Sequence, residues 1–287
     1  GSRFKASNAK AKNFTREKLK RKLGEIDAAI ARYIAEMDRA DAAEAESGEP
    51  LPRARLQRLV RKLTHLIGQA ERFRAVDANM QASGATQVSL SDPDARSMAT
   101  TARMPRVVGY SVQSVVDAKN HLIVAHEVTM HGQDHDALSA MAVAAREVMT
   151  ADKIEAVADK EYYKSEEIFA CDKAGIAVIV PKPQTSSAGA RGRFDRADFA
   201  YLAEDDVYRC PAGQRLTYRF TGQEGGKALR VYWFGGCADC ALKDKCTPGP
   251  QRRIRRWEHE AVLDRVQKRL DDDPSIFTLR SMTVEHP

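Results

Sequence analysis

The apolar residues of this chain change their period once, and that change requires a fold containing both helices and sheet. Leu19, Leu23, Ile26, Ile30, Ile34 and Met37 recur in steps of three and four, which lays one apolar stripe along a helix. After the turn-like ESGEPLP, a second stripe runs through Leu56, Leu59, Leu63, Leu66, Ala70 and Phe73. The short connection predicts an antiparallel helical hairpin, with Thr15 as the N-cap of its first helix. A loop of small and polar residues, ASGATQVSLSDPDARSM, separates this hairpin from the rest of the chain. From residue 107 the pattern is that of strands: VVGYSVQSVV and HLIVAHEVTM are rich in Val and Ile and flank the turn-like Asp117-Ala118-Lys119-Asn120.

Helices and strands then alternate. DHDALSAMAVAAREVM reads as a helix with Asp134 or Asp136 near its cap, and IEAVAD as a strand. SEEIFACDKAG reads as a helix with Ser165 as N-cap and Gly175 as its stop, and AVIVPKP as a further strand. This order predicts an α/β fold, a mixed sheet covered by helices. It sets Asp159 at the C-terminal end of a strand, where such sheets gather ligands. The stretch 184–256 is Gly-rich, Arg-rich and Cys-bearing, and reads as an insertion. Val262, Val266 and Leu270 mark a later helix, and Asp273-Pro274 opens a last one running into RSMTVEHP.

Chemistry enters through the cysteines. Cys210, Cys237, Cys240 and Cys246 have the spacing C-x26-C-x2-C-x5-C. Two thiolates two residues apart grip one tetrahedral ion, and the other two would close a four-sulfur Zn2+ site. Cys171 stands apart in a helical pattern and is expected to be a small buried residue. Asp159 needs carboxylate partners to hold a hard cation, and Glu285, near the end of the last helix, is the candidate. Asp92 and Asp94 form an Asp-Pro-Asp turn and cap. His126, His131 and His135 cross a strand end and a loop, so they are given ordinary polar roles.

Charge points to a polyanion. The 46 basic residues exceed the 40 acidic ones to give +6, and the excess is clustered. Residues 3–22 hold nine Lys and Arg against one acid, and Arg252, Arg253, Arg255 and Arg256 form a second knot. With Lys182 and Arg280, these are the expected phosphate contacts, because clustered cations on DNA release counterions. No run approaches the roughly 20 apolar residues needed to span a bilayer, so a cytoplasmic protein without membrane contact is expected.

In order along the chain, SRFKASNAKAKNFT, SDPDARSM, GYSVQSVVD, HLIVAHEVT, AVADKEYY, GIAVIVPKP, YRCPAG with CADCALKDKC, and RSMTVEHP resemble the IS1182 group of transposases, within the IS4/IS5-like DDE transposases of bacterial insertion sequences. The resemblance covers essentially the whole chain. It implies a ribonuclease-H-like fold in which two aspartates and a glutamate hold two Mg2+ (or Mn2+) ions for cleavage and transfer of DNA strands. Asp159 matches the second aspartate and Glu285 the glutamate. The first aspartate of that pattern precedes the Gly-Ser before SRFKA, so the match implies a truncated form, weakly active or inactive alone. Glu161 stands where the pattern has glycine. The implied partners are insertion-sequence ends and target DNA, with a homo-oligomer forming on DNA.

The expected organisation is a remnant of the first catalytic strand region over 1–13, a basic helical hairpin over 14–80, a ribonuclease-H-like core over 81–183, a Cys-rich zinc-binding insertion over 184–256, and C-terminal helices carrying Glu285 over 257–287. Two rivals stay open. One is a non-catalytic DNA-binding remnant of a transposase, and the other is a metal-dependent nuclease that cuts without joining.

Overall fold

The computed structural model describes residues 1–7, 10–48, 52–98, 107–130, 132, 134–184 and 186–285. The chain divides into two compact units: Gly1–Gln113 with Glu127–Gly132, and Ser114–His126 with Gln133–Pro287. The core expected over 81–183 is therefore shared between two units. The fold is mixed α/β, as the change of period requires, but with several sheets.

In chain order, the first unit is built from β1 (Ser2–Lys5), β2 (Asn13–Thr15), α1 (Arg16–Ser47), α2 (Arg53–Ala82), β3 (Gln87–Ser89), β4 (Arg96–Met98) and most of the hairpin β5 (Val107–Val116) and β6 (Ile123–Thr129). Thr15 caps α1 as expected, its hydroxyl accepting from Lys18 N at 3.3 Å. The two helices run antiparallel, because Glu36 meets Arg55 at 3.3 Å while the earlier Asp27 meets the later Arg74 at 2.7 Å. Both pairs are exposed, and such pairs contribute at most about 1 kcal/mol each. The root of the hairpin is held by apolar packing instead: Phe14, Leu19 and Met80 are buried together against Leu23, Phe73 and Val88.

The loop expected before residue 98 contains two short strands. β3 pairs with β2, and β4 pairs with β5, each over three residues. Strands this short carry no readable alternation, which is why composition alone reads as loop there. β1 pairs with β5 on its other side, so β5 is central. Gly109 makes this pairing possible, since a Cβ there would lie 1.8 Å from the Phe4 carbonyl oxygen.

The second unit holds the hairpin turn, then α3 (Leu138–Val148), β7 (Glu155–Val157), α4 (Ser165–Lys173), β8 (Ala177–Ile179), β9 (Ala200–Leu202), β10 (Val207–Arg209), β11 (Arg215–Glu224), β12 (Lys227–Trp233), α5 (Lys243–Cys246), β13 (Ile254–Trp257), α6 (Glu260–Asp272) and α7 (Ile276–Arg280). In the turn, the Asp117 carboxylate accepts from Lys119 N and Asn120 N, which lowers its pKa. β7 and β8 pair in parallel with α4 between them, a βαβ unit. Its core joins Leu138 and Ala142 of α3, Ile168 and Cys171 of α4, Val178 of β8, and Val262 and Val266 of α6. Burying a side chain of this size stabilises by about 1.5–3 kcal/mol, so this cluster fixes β7 in place.

Four local expectations are corrected. Among the described residues the strands pair as four sheets instead of the one mixed sheet expected, and β7 and β8 form a two-stranded pair of their own. Ser165 is the first residue of α4 rather than its cap, because its hydroxyl accepts from Lys227 Nζ at 2.8 Å. Asp136 stands next to the α3 cap residue Ala137, as expected, but neither it nor Asp134 caps the helix through its side chain; Glu167 of α4 does, accepting from Ser139 N at 2.9 Å and Ser139 Oγ at 2.6 Å. The last helix is short and gives way to a π-helical turn, Ser281–Glu285. The Asp273 carboxylate braces its start, accepting from Ser275 N at 3.1 Å.

Candidate functional site

Asp159 follows β7 after one residue, Ala158, at the C-terminal end of the strand. The ladder reaches it, because Ala158 N donates to Ile179 O at 3.0 Å. Its carboxylate accepts from Lys160 N and so caps the 3-10 turn Lys160–Tyr162. Glu161, in the glycine position of the resembled pattern, lies inside that turn, whose ordinary helical geometry needs no glycine. The second Asp159 oxygen faces Arg280 Nη2 at 3.5 Å. Arg280 is the last residue of α7, and the π-turn that ends at Glu285 continues from it without a break. The segment that carries Glu285 is thereby tied to Asp159.

Two residues that sequence reasoning does not assign to this site belong to its neighbourhood. Asp134 is a buried carboxylate, and Tyr162 is half-buried beside it. Burial pushes the Tyr162 phenol up; the charges of Asp134, Glu161 and Asp159 add to that shift, and Arg280 opposes it. The Tyr162 proton is thus retained at any ordinary pH. The site is therefore a patch of negative potential around a neutral phenol, with one guanidinium inserted.

Among the described residues, no group of three or more His, Cys, Asp or Glu side chains is arranged to hold a metal ion. Asp159 is half-exposed and its described ionic partner is a cation. Among the described side chains Asp159 thus offers one carboxylate to a Mg2+ or Mn2+ ion, which takes oxygen ligands from one or two carboxylates and from phosphates. His126 is exposed, His135 lies 3.7 Å from Asp136, and His131 lies outside the described residues. Asp92 accepts from the Tyr110 hydroxyl at 2.7 Å and from Ala95 N through its own carbonyl, consistent with a turn and cap. That bond raises the Tyr110 phenol to about 12.

The four clustered cysteines line one small apolar cavity of about 30 Å3, together with Phe194, Phe199, Leu216 and Phe234. Cys210 sits in the turn after β10, where Gly213, at φ +77°, lets Gly213 N donate to Cys210 O at 2.8 Å. Cys237 and Cys240 lie in the loop after β12, and Cys246 ends α5. All five cysteines are free thiols. Burial pushes the Cys246 thiol up, Arg252 opposes this, and the Cys237, Cys210 and Cys240 sulfurs add to it. Arg252 lines the same cavity and its Nε is buried without a hydrogen-bond partner. Four thiols are the donor set of structural Zn2+ in type, although among the described residues they are not drawn together into a coordinating group. Cys171, fully buried in the other cluster, has its thiol pushed up to about 12 by burial.

The basic residues separate into classes. Lys182 and Arg253 are exposed, and Arg255 is exposed but paired with Glu224. Arg252 packs over the Phe199 ring at 5.3 Å. Arg256, expected at a phosphate, is buried: it lies 3.7 Å from the Tyr201 ring centroid and donates to Asp264 at 2.6 Å. Its role is packing, because its strand points Ile254 and Arg256 inward and Arg253 and Arg255 outward. Among the described residues, no helix is long and apolar enough to cross a membrane. No protein-family profile, curated protein or solved structure matches this chain.

Proposed function

We propose that this chain is the catalytic region of a DDE transposase that cuts and joins DNA at the ends of a bacterial insertion sequence. The observation that carries this reading is the Asp159–Arg280 contact, which links a carboxylate at a strand end to the segment ending at Glu285. The order of motifs along the chain and the β7–α4–β8 unit support it. In this reading the fold is ribonuclease-H-like, and Asp159 and Glu285 would hold Mg2+ or Mn2+, whose chemistry is to stabilise charge on phosphate oxygens. Arg280 keeps the Asp159 carboxylate oriented and neutralised. Cys210, Cys237, Cys240 and Cys246 would hold Zn2+, which would fasten the β10 turn to the loop after β12. The exposed Lys182, Arg253 and Arg255 would meet phosphates, and the protein would act as a homo-oligomer on DNA in the cytoplasm.

A second reading, DNA binding without chemistry, is favoured by one observation: the described residues place a guanidinium, not a second carboxylate, on Asp159. A labelled DNA end incubated with the chain and Mn2+ separates the readings. The first predicts slow nicking that Asp159→Asn abolishes, with joined products. Cut but unjoined products identify a nuclease. Binding without any Asp159-dependent product identifies the remnant and overturns the catalytic reading.

A further inference from the structure

The sheet of the second unit, in the order β13-β12-β11-β10-β9, has two unlike faces. Residues directly opposite on neighbouring strands point to the same side. Tyr208 pairs with Leu216, and Tyr232 pairs with both Tyr218 and Ile254, so these fall on the face that buries Phe199, Tyr208, Leu216, Tyr232 and Ile254. The other face is set by Phe220, Val231 and Arg255, which are mutual cross-strand neighbours. A register shift between Tyr218 and Phe220 brings Arg219 to this side too, where its guanidinium lies 5.3 Å from the Trp233 ring centroid. Arg253 covers the same ring at 5.1 Å. Trp233 and Phe220 meet edge to face at 6.0 Å.

This face is open. Phe220 is 47% exposed, and Arg209, Arg219 and Arg253 are all exposed. Beside Phe220 lies a pocket of about 220 Å3 lined by Leu229, Val231, Glu224, Arg253 and Arg255. Arg215 is paired with Asp205, Lys227 with Glu166 and Arg255 with Glu224. Arg209, Arg219 and Arg253 enter no ion pair among the described residues. A lone exposed phenylalanine is ordinary on any surface. An exposed ring and a half-buried indole flanked by guanidiniums that enter no ion pair among the described residues, beside a surface pocket, are the parts of a stacking platform with a phosphate track.

We propose that this face holds an unpaired DNA strand, with a base stacked on Phe220 and the adjoining phosphates on Arg219 and Arg253. The acid lining the pocket, Glu224, is taken up by Arg255, so the charge of Arg219 and Arg253 is left to select a polyanion, and the flat ring selects one whose bases are free. Duplex DNA would satisfy the arginines and leave Phe220 in water. The proposal rests on the reading of DNA as the ligand and is independent of catalysis.

The test uses the full chain with a labelled oligothymidylate of about 12 nucleotides, a duplex of the same length, and polyglutamate. Phe220→Ala should weaken oligothymidylate binding about tenfold, the loss of one base stack, and change duplex binding little. Phe220→Trp should restore it, and Phe220→Leu should not. Arg219→Ala and Arg253→Ala should each lower the salt dependence by about one counterion. Oligothymidylate should quench tryptophan emission, because Trp233 lies beside the platform while Trp257 is buried. Thermal unfolding of each variant shows that the sheet is intact. Unchanged binding by Phe220→Ala, rescue by Phe220→Leu, or preference for polyglutamate or duplex overturns the proposal. DNA cutting without oligothymidylate binding overturns this proposal alone; Phe220-dependent binding without cutting overturns only the catalytic reading.

Discussion

The Arg280 guanidinium stands 3.5 Å from the Asp159 carboxylate, although the two residues are 121 positions apart in the chain. Arg280 is largely buried and Asp159 half-exposed, so the contact is a tether with one wet end. It ties the end of β7 to the segment that finishes at Glu285.

Replacing that guanidinium should separate its structural share from its electrostatic share. Arg280→Met is expected to destabilise the chain by about 1 kcal/mol or less, since a partly solvated pair contributes little. The same variant should bind Mn2+ severalfold more tightly, because a competing cation has left Asp159. Urea unfolding and the electron paramagnetic resonance of free Mn2+ measure the two effects. A fall in Mn2+ affinity would mean that Arg280 supports the metal site rather than competing with it.

The four-thiol cavity should take up about one Zn2+ per chain. Cys240→Ser should lose the ion and loosen the sheet around Phe199 and Tyr232. Zn2+ must displace thiol protons, and the raised Cys246 pKa makes this harder, so affinity should fall as pH falls. Metal analysis after dialysis checks the stoichiometry. A zinc-free chain whose unfolding is unchanged by Cys240→Ser would rule the site out.

Cys171 makes a separate pH prediction. Its thiol is raised from 9.0 to about 12 in the folded chain, so the unfolded chain loses that proton first. The stability linked to Cys171 is fully present below pH 9 and declines as pH rises from about 9 towards 12. Tyr163 is likewise raised to about 12 by burial, and adds to the decline from pH 10 upwards. Cys171→Ala should therefore flatten the first part of the curve, between pH 9 and 10, in denaturant titrations.

Arg256 and Arg253, three positions apart, should behave oppositely. Arg256→Ala removes a buried cation from Tyr201, Tyr208 and Asp264, and should cost about 2 kcal/mol of stability. Arg253→Ala should leave stability within about 0.5 kcal/mol and weaken DNA binding. Unfolding and anisotropy titrations on both variants check this.

Legibility in the sequence tracks the range of each interaction. The Thr15 cap, the stop at Gly175 and the strand end at Asp159 are local, set within a few residues, and are legible. The two stripes announce the helical hairpin for the same reason. Glu167 capping Ser139 spans 28 residues, and no local pattern contains it. The burial of Asp134 depends on the packing of several elements and is equally unreadable. Arg256 is different: alternation around the apolar Ile254 points it inward, but the run of arginines reads as one charged patch. Phe220 and Trp233 become neighbours only through the strand register and its shift.

The central claim is that Asp159 and Glu285 share a divalent cation, and iron-directed backbone cleavage tests it most directly. Fe2+ in place of Mg2+, with ascorbate and peroxide, cuts a chain beside the bound ion. The account predicts cuts near residues 159 and 285, suppressed by excess Mg2+ and lost in Asp159→Asn. Cleavage elsewhere, or cuts at 159 and 285 that persist in Asp159→Asn, would contradict it.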